Sequence, residues 1–465
     1  MAGLTGTRAT DGARVGGAPV VDGAWGVDGA PVVDGARGVD VTDVVSRFTG
    51  LVQYVRPMSF TPDSIPDTLY SARTADAGFL TGTATDPFSM GPGDTPEAAR
   101  RACIGEAVER FALADARPSA RQAVGRIRRG TALRQVPPSV FSRFADSQYR
   151  QPGFRFERVR DGDVIDWVEG IDVHSGEPVL LPAQMVLFAD PHPVGLDGER
   201  MCEPHYETAT SSGVAAGPTF PFAAKRAILE LAERDAFQRT WLLNDHPPRL
   251  EWDPPPTQTS SAALSRTAVE QLRRLERTCS RFGAVFSLRV LPSPLGIPVL
   301  LAVLRSGITG VALGCAADID ADRAALNAVR EAIHTHNWCL RLLADPPIAP
   351  EAITEFAHHV AFHARPSARH YSAALDDSAR RVVSLPRVHW PTVVGTAASR
   401  GIRLYLVDLT SDEVAAAGFS VVRALSPDLV PLDVLHDARF LGSPSLRDAR
   451  HPHPESLNPL PHPFP

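Results

Sequence analysis

Cysteine is scarce and forms no pattern. Cys103, Cys202, Cys279, Cys315 and Cys339 are the five in 465 residues, and no two stand at C-x-x-C spacing. That gives neither a disulfide framework nor a zinc signature, and it suits a reducing cytoplasm. Long apolar runs are missing too. The longest, Ile297 to Leu304, contains Pro298 and is far too short to cross a bilayer. Residues 1 to 12 lack the apolar core of a signal peptide. Basic excess is also absent: a net charge of -6 offers no reason to expect nucleic acid as the main partner. What is present, 44% hydrophobic and 22% charged residues, is the composition of a soluble globular protein.

Against that background one short pattern occurs twice. Glu106-Ala107-Val108-Glu109-Arg110 and Glu230-Leu231-Ala232-Glu233-Arg234 are both Glu-x-x-Glu-Arg within helical stretches. Residues three apart share a helical face, so each pentad holds two carboxylates side by side. Two such pairs brought together make a pocket for hard cations, the kind of site that magnesium on nucleotide phosphates requires. The plain alternative is a solvated face with ordinary i,i+4 acid-to-base pairs. The second helix argues against it, because Ala224, Ile228 and Leu231 form one apolar stripe and Leu229, Ala232, Ala236 and Phe237 another. A helix apolar nearly all round is buried, and a buried carboxylate needs a cationic partner. The first helix is expected to open at Thr95-Pro96-Glu97, with a cap followed by proline.

Residues 1–43 are low complexity, with Ala18-Pro-Val-Val-Asp-Gly-Ala24 repeated as Ala30-Pro-Val-Val-Asp-Gly-Ala36. They are expected to be a disordered extension. A catalytic unit is expected over 44–440. Within it, 166–173 and 178–181 read as two strands joined by a turn. The steps Ala268, Leu272, Leu275, Cys279 and Phe282 read as an amphipathic helix, followed by a strand over 284–291 and two more around Ser306-Gly307. Leu326, Val329, Ile333 and Leu340 mark another helix, with Glu331 off its apolar stripe. Strands and helices without strict alternation imply a mixed α/β layered fold (α+β layers). Residues 441–465 are a Pro-rich tail ending in Leu457-Asn458-Pro459-Leu460-Pro461-His462-Pro463-Phe464-Pro465. Alternating prolines enforce an extended, polyproline-like rod.

Together these features resemble the YcaO family, ATP-dependent enzymes that activate backbone amides, and among them the stand-alone D-protein of azoline-forming cyclodehydratases. Gly91-Pro92-Gly93-Asp94-Thr95-Pro96-Glu97-Ala98, leading to Glu106 through Arg110, resembles the family's first glutamate motif. Thr210-Ser211-Ser212-Gly213-Val214-Ala215-Ala216-Gly217, running into Leu229 through Ala236, resembles the second. Glu331 in Arg330-Glu331-Ala332-Ile333 stands where the family places a third acidic group, and the proline tail is similar to that of azoline-forming members. Departures occur at Pro92, Ala102, Pro218, Phe222 and Asn327, and the usual Gln-x-Arg is His334-Thr335-His336. His334 and His336 are read as structural, since i,i+2 residues on a helix diverge.

The resemblance implies a YcaO-like fold in which Glu106, Glu109, Glu230, Glu233 and Glu331 hold Mg2+ against ATP phosphates and Arg234 contacts a phosphate. The Ser211 to Gly217 stretch, with Ser212, is expected to be an anion-binding loop ahead of a helix, and it is not a Walker A loop. The implied reaction is ATP-dependent closure of Cys, Ser or Thr of a ribosomally made precursor peptide onto the preceding amide, giving a thiazoline or oxazoline. The rod would deliver the carboxylate of Pro465 as a catalytic base. Implied partners are the precursor peptide, a separate leader-binding (ocin-ThiF-like) protein, a flavin-dependent azoline dehydrogenase and a second copy in a homodimer. The competing expectations are a thioamide- or amidine-forming enzyme and a catalytically silent scaffold that docks the precursor.

Overall fold

The structure is a computed structural model, and it describes residues 44–76, 88–114, 123–124, 132–163, 165–187, 204–207, 210–253, 264–376, 380–381, 385, 387–447 and 450–464. The repeats within 1–43 and the terminal Pro465 lie outside the described residues. Three antiparallel strands, β1 (Val52–Pro57), β2 (Leu69–Thr74) and β3 (Phe88–Pro92), form a small sheet in that order. Its inner face packs on α1 (Pro96–Ala114). Helix α1 starts where the sequence indicates: Thr95 Oγ1 accepts from the N–H of Ala98 at 3.2 Å.

A larger sheet contains β4 (Trp167–Asp172) and β5 (Pro178–Pro182), paired antiparallel and joined through a turn with Gly176 at φ 72°. It also holds β6 (Val214–Gly217), whose partner comes from near the end of the chain. Helix α2 (Phe220–Leu242) follows, capped by Thr219, then α3 (Arg266–Arg281), capped by Ser265. A second large sheet is built on the meander β7 (Ala284–Leu291), β8 (Val299–Ser306) and β9 (Val311–Ala317), which carries α4 (Ala321–Leu342) on one face. Helices α5 (Phe356–His363) and α6 (Trp390–Ser399) lead to β10 (Tyr405–Asp408) and β11 (Ser420–Leu425), which complete the first large sheet. The strand order there runs β5, β4, β10, β11, β6. The layers are mixed α and β, as the sequence indicates.

Helix α2 lies between the two large sheets, and its core joins Ala224, Ile228 and Phe237 to Leu301 and Leu313 on one side and to Val422 and Ala424 on the other. This is why it is apolar on more than one stripe. Two glycines set the closeness of the other two helices to their strands. A Cβ at Gly314 in β9 would collide with the backbone of Ala328 and Ala332, and one at Gly91 in β3 with the backbone of Cys103. Among the described residues no helix is long and apolar enough to cross a membrane.

Candidate active site

The two Glu-x-x-Glu-Arg pentads face one another across β6, and Glu331 of α4 completes the group. Each acid except Glu230 is oriented by a strand amide. Glu106 Oε2 accepts from Met90 N at 3.2 Å, Glu109 Oε1 from Ala216 N at 2.8 Å, Glu233 Oε2 from Ala317 N at 3.2 Å and Glu331 Oε2 from Cys315 N at 2.7 Å. The i,i+4 pairs also form. Arg110 Nη2 lies 2.9 Å from Glu106 Oε1, and Arg234 Nε lies 3.5 Å from Glu230 Oε1, with Glu233 Oε1 3.9 Å from Arg234 Nη1. The surface reading of the second pentad is therefore excluded, since Glu233 keeps only 15% of its side chain exposed.

Burial pushes the Glu109 carboxyl up to about 8 from 4.5, and the charges of Glu230 and Glu106 add to it against the pull of the Ala216 amide and Arg226. Burial likewise raises Glu230 to about 7, opposed by Arg234. Glu233 and Glu331 are both raised, by burial first and then by the neighbouring acids. Arg234 does not neutralise such a group alone. Glu109, Glu233 and Glu331, which hold protons near neutrality and each have one oxygen fixed by an amide, come from three helices and with Glu230 have the chemistry of a divalent-cation site. The buried Nη1 of Arg234 has no hydrogen-bond partner, which fits a contact to an anionic oxygen.

A titration follows. A carboxyl whose proton is held more tightly in the folded chain stabilises the fold below its ordinary range and ceases to do so as pH rises through its folded value. The metal-free protein is expected to lose thermal stability between pH 4.5 and about 8, and Mg2+ is expected to restore it while releasing protons. Calorimetric melts across that range, with and without Mg2+, check this; a metal-free melt that rises toward pH 8 contradicts it.

Other positions differ from expectation. The Ser211 to Gly217 stretch is a strand from Val214 onward, not a loop presenting free amides: the Ala216 N–H is taken by Glu109, and Thr219 caps the helix. Small residues there read as loop, but they are small because α1 and α2 both press on β6. Ser212 is buried and lines a small cavity with Arg143, Glu207 and Arg423. His334 Nε2 lies 3.0 Å from Asp67 Oδ2 and His336 Nε2 3.1 Å from Ser306 Oγ, which is the structural role expected of them. Sequence reasoning missed Arg226, which acts on Glu109, Glu230 and Glu233 and lies 3.6 Å from Asp318. Its i,i+4 spacing from Glu230 was the available signal.

The tail reaches this cluster. Phe464 is fully buried, its ring centroid 4.6 Å from that of Phe237, and the Arg234 guanidinium carbon lies 4.2 Å from its centre. Main-chain carbonyls hold the approach: Trp241 Nε1 donates to Leu460 O at 3.1 Å and His363 Nε2 to Pro461 O at 2.8 Å. His359, Asp433 and His462 gather beside it with metal-like composition. The two rings, however, stack at 3.9 Å and 8°, and parallel planes cannot both contain one ion. Their Nε2 atoms instead donate to the carbonyls of Val434 and Asp433, so this group is a neutral clasp on the tail.

A family model described as YcaO cyclodehydratase, ATP- and Mg2+-binding, matches residues 90–430. The chain belongs to the YcaO family. That family is described as ATP- and Mg2+-binding. Among solved structures it is similar to a heterocyclase in complex with substrate and cofactor (TM-score 0.67, 19% identity, 91% of this chain and 56% of that one). It is also similar to YcaO from Methanopyrus kandleri bound with AMPPCP and Mg2+ (TM-score 0.54, 21% identity, 82% and 86%) and to the E. coli microcin synthetase McbBCD complex (TM-score 0.58, 12% identity, 91% and 98%). At these identities the likeness is one of fold. An uncharacterized protein in the tfuA 3' region of Rhizobium leguminosarum bv. trifolii is 30% identical over 177 residues, 36% of this chain and 38% of that protein. The chain thus spans about half of the heterocyclase and less of this relative.

Proposed function

We propose that this YcaO protein is a cytoplasmic cyclodehydratase that closes Cys, Ser or Thr of a ribosomally made precursor peptide into thiazoline or oxazoline. The observation that carries the reading is the proline tail threaded to Arg234: it brings Phe464 onto the same arginine that the second pentad presents to the cluster. In this reading 44–440 is the catalytic unit and 441–465 the tail that completes it. Glu106, Glu109, Glu230, Glu233 and Glu331 hold Mg2+, and Arg234 and Ser212 contact nucleotide. Bound Mg·ATP supplies the phosphoryl group that turns an amide oxygen into a leaving group. The chain's residues fix that group in place and limit water: Phe464 and Phe237 close one side of Arg234. Pro465, next along the tail, is proposed as the acceptor of the proton lost from the attacking side chain. A separate leader-binding protein, a later azoline dehydrogenase acting with flavin, and homodimer formation belong to the same proposal.

The test is incubation with ATP, Mg2+ and a Cys-containing precursor together with its partner protein. Phosphate release matched by loss of one water mass per ring supports the reading. Oxygen-to-sulfur exchange in the peptide, with sulfide supplied and no loss of water, would assign a thioamide-forming reaction instead.

A further inference from the structure

The outer face of the β1–β2–β3 sheet takes no part in the proposed reaction. Its register sets Tyr54, Arg73 and Phe88 in one cross-strand row and Arg56, Ser71 and Met90 in the next. Side chains two apart on a strand point the same way, so these six share a face, while Ala72 and Ser89 between them are buried. Phe88 is 50% exposed and Met90 41%. Arg73 lies 5.7 Å over the Phe88 ring and Arg56 4.9 Å over Tyr54, and at the turn into β1 Arg47 lies 5.9 Å over the exposed Phe48. Neither row contains a carboxylate, and among the described residues none of these three arginines has an acidic partner.

We propose that this face docks an acidic segment of a partner polypeptide, one that interleaves carboxylates with apolar side chains. Arginine, aromatics and methionine are the residue types enriched where protein partners bury surface. Guanidiniums held over rings and lacking carboxylates are completed by carboxylates from outside. The chain as a whole carries -6, and against that background a local patch that is both basic and apolar attracts an acidic partner. The face also bears on the carboxylate cluster. Met90 contributes its side chain to the docking row and its N–H to Glu106, and the next residue, Gly91, lies directly on the α1 backbone. This assignment stands whether or not ring formation is the reaction.

The test uses the full chain and a fluorescein-labelled dodecapeptide of alternating glutamate and leucine, with a lysine-for-glutamate peptide as its counterpart, read by anisotropy. The wild type is expected to bind the acidic peptide, with affinity falling as salt rises. The double variant Arg56→Glu, Arg73→Glu is expected to bind about tenfold or more weakly, with an unchanged thermal melt. Equal binding of both peptides, no saturable binding, or unaltered binding by the double variant overturns the proposal. So does conversion of a sedimenting dimer to monomer by that variant, because the occupant would then be a second copy of the chain.

Discussion

Replacing Glu109 or Glu233 by alanine is expected to remove Mg2+-dependent ATP binding and to lower ATP turnover by on the order of a thousandfold, the scale seen when a charge-stabilising group is lost from an active site. Each acid sits in a shell where the others are already repelled by burial and by one another, so one lost ligand leaves a cation poorly held while the remaining acids take up protons. The same physics predicts that the variants stay folded. Glu109 is a cost to the metal-free fold at pH 8, where its proton is leaving, so Glu109→Ala is expected to melt no lower than the wild type there without Mg2+. Titration calorimetry with ATP, with and without Mg2+, beside a melt of each protein checks both halves. Full nucleotide binding by either variant would remove the carboxylate cluster from the nucleotide site.

The second large effect is at Phe464. Its side chain is fully enclosed between Phe237 and Arg234, so Phe464→Ala opens a cavity worth roughly 3–5 kcal/mol. That loss falls first on tail docking, because Phe464 stands at the end of the described chain and no sheet or helix runs through it. Ring formation is expected to drop about a hundredfold, with Mg·ATP binding changed far less, since the carboxylates keep their strand amides. Phe464→Leu, which keeps most of the apolar volume, is expected to recover a large part of the rate. Mass spectrometry of the precursor and a parallel nucleotide titration read the two effects apart. Equal loss of nucleotide binding would show that the ring serves Arg234 rather than the tail. Shortening the tail by several residues is a poorer experiment, because it removes Phe464 together with whatever Pro465 does.

Much of this was legible in the sequence. The period of Ala268 through Phe282 marked its helix to within a few residues of Arg266–Arg281, and the meander around Ser306-Gly307 formed as read. The paired acids were visible because their spacing is local. What held them was not visible. Ala216, Cys315 and Ala317 offer only backbone amides, which carry no side-chain signature, and they reach Glu109, Glu331 and Glu233 through tertiary packing. For the same reason β6 read as a loop, since its alanines and glycine declare no strand preference until α1, α2 and β11 enclose them. His359 and His363, one helical turn apart, meet His462 and Pro461 about a hundred residues further on, a separation that no local pattern spans.

The tail prolines have a meaning beyond stiffness. Pro461 and Pro463 are buried, and the bonds that Trp241, His363 and Arg439 make to this stretch end on tail carbonyls, while Asn458 and His462 donate back to the body. A residue with an N–H at either position would bring in a buried donor, which costs about 1–3 kcal/mol wherever it finds no acceptor. Proline carries none, so these two buried positions add no donor that must be satisfied. At Pro461 and Pro463 the alternation is then a matter of polarity as well as of shape: the carbonyl is kept and the amide hydrogen is left out.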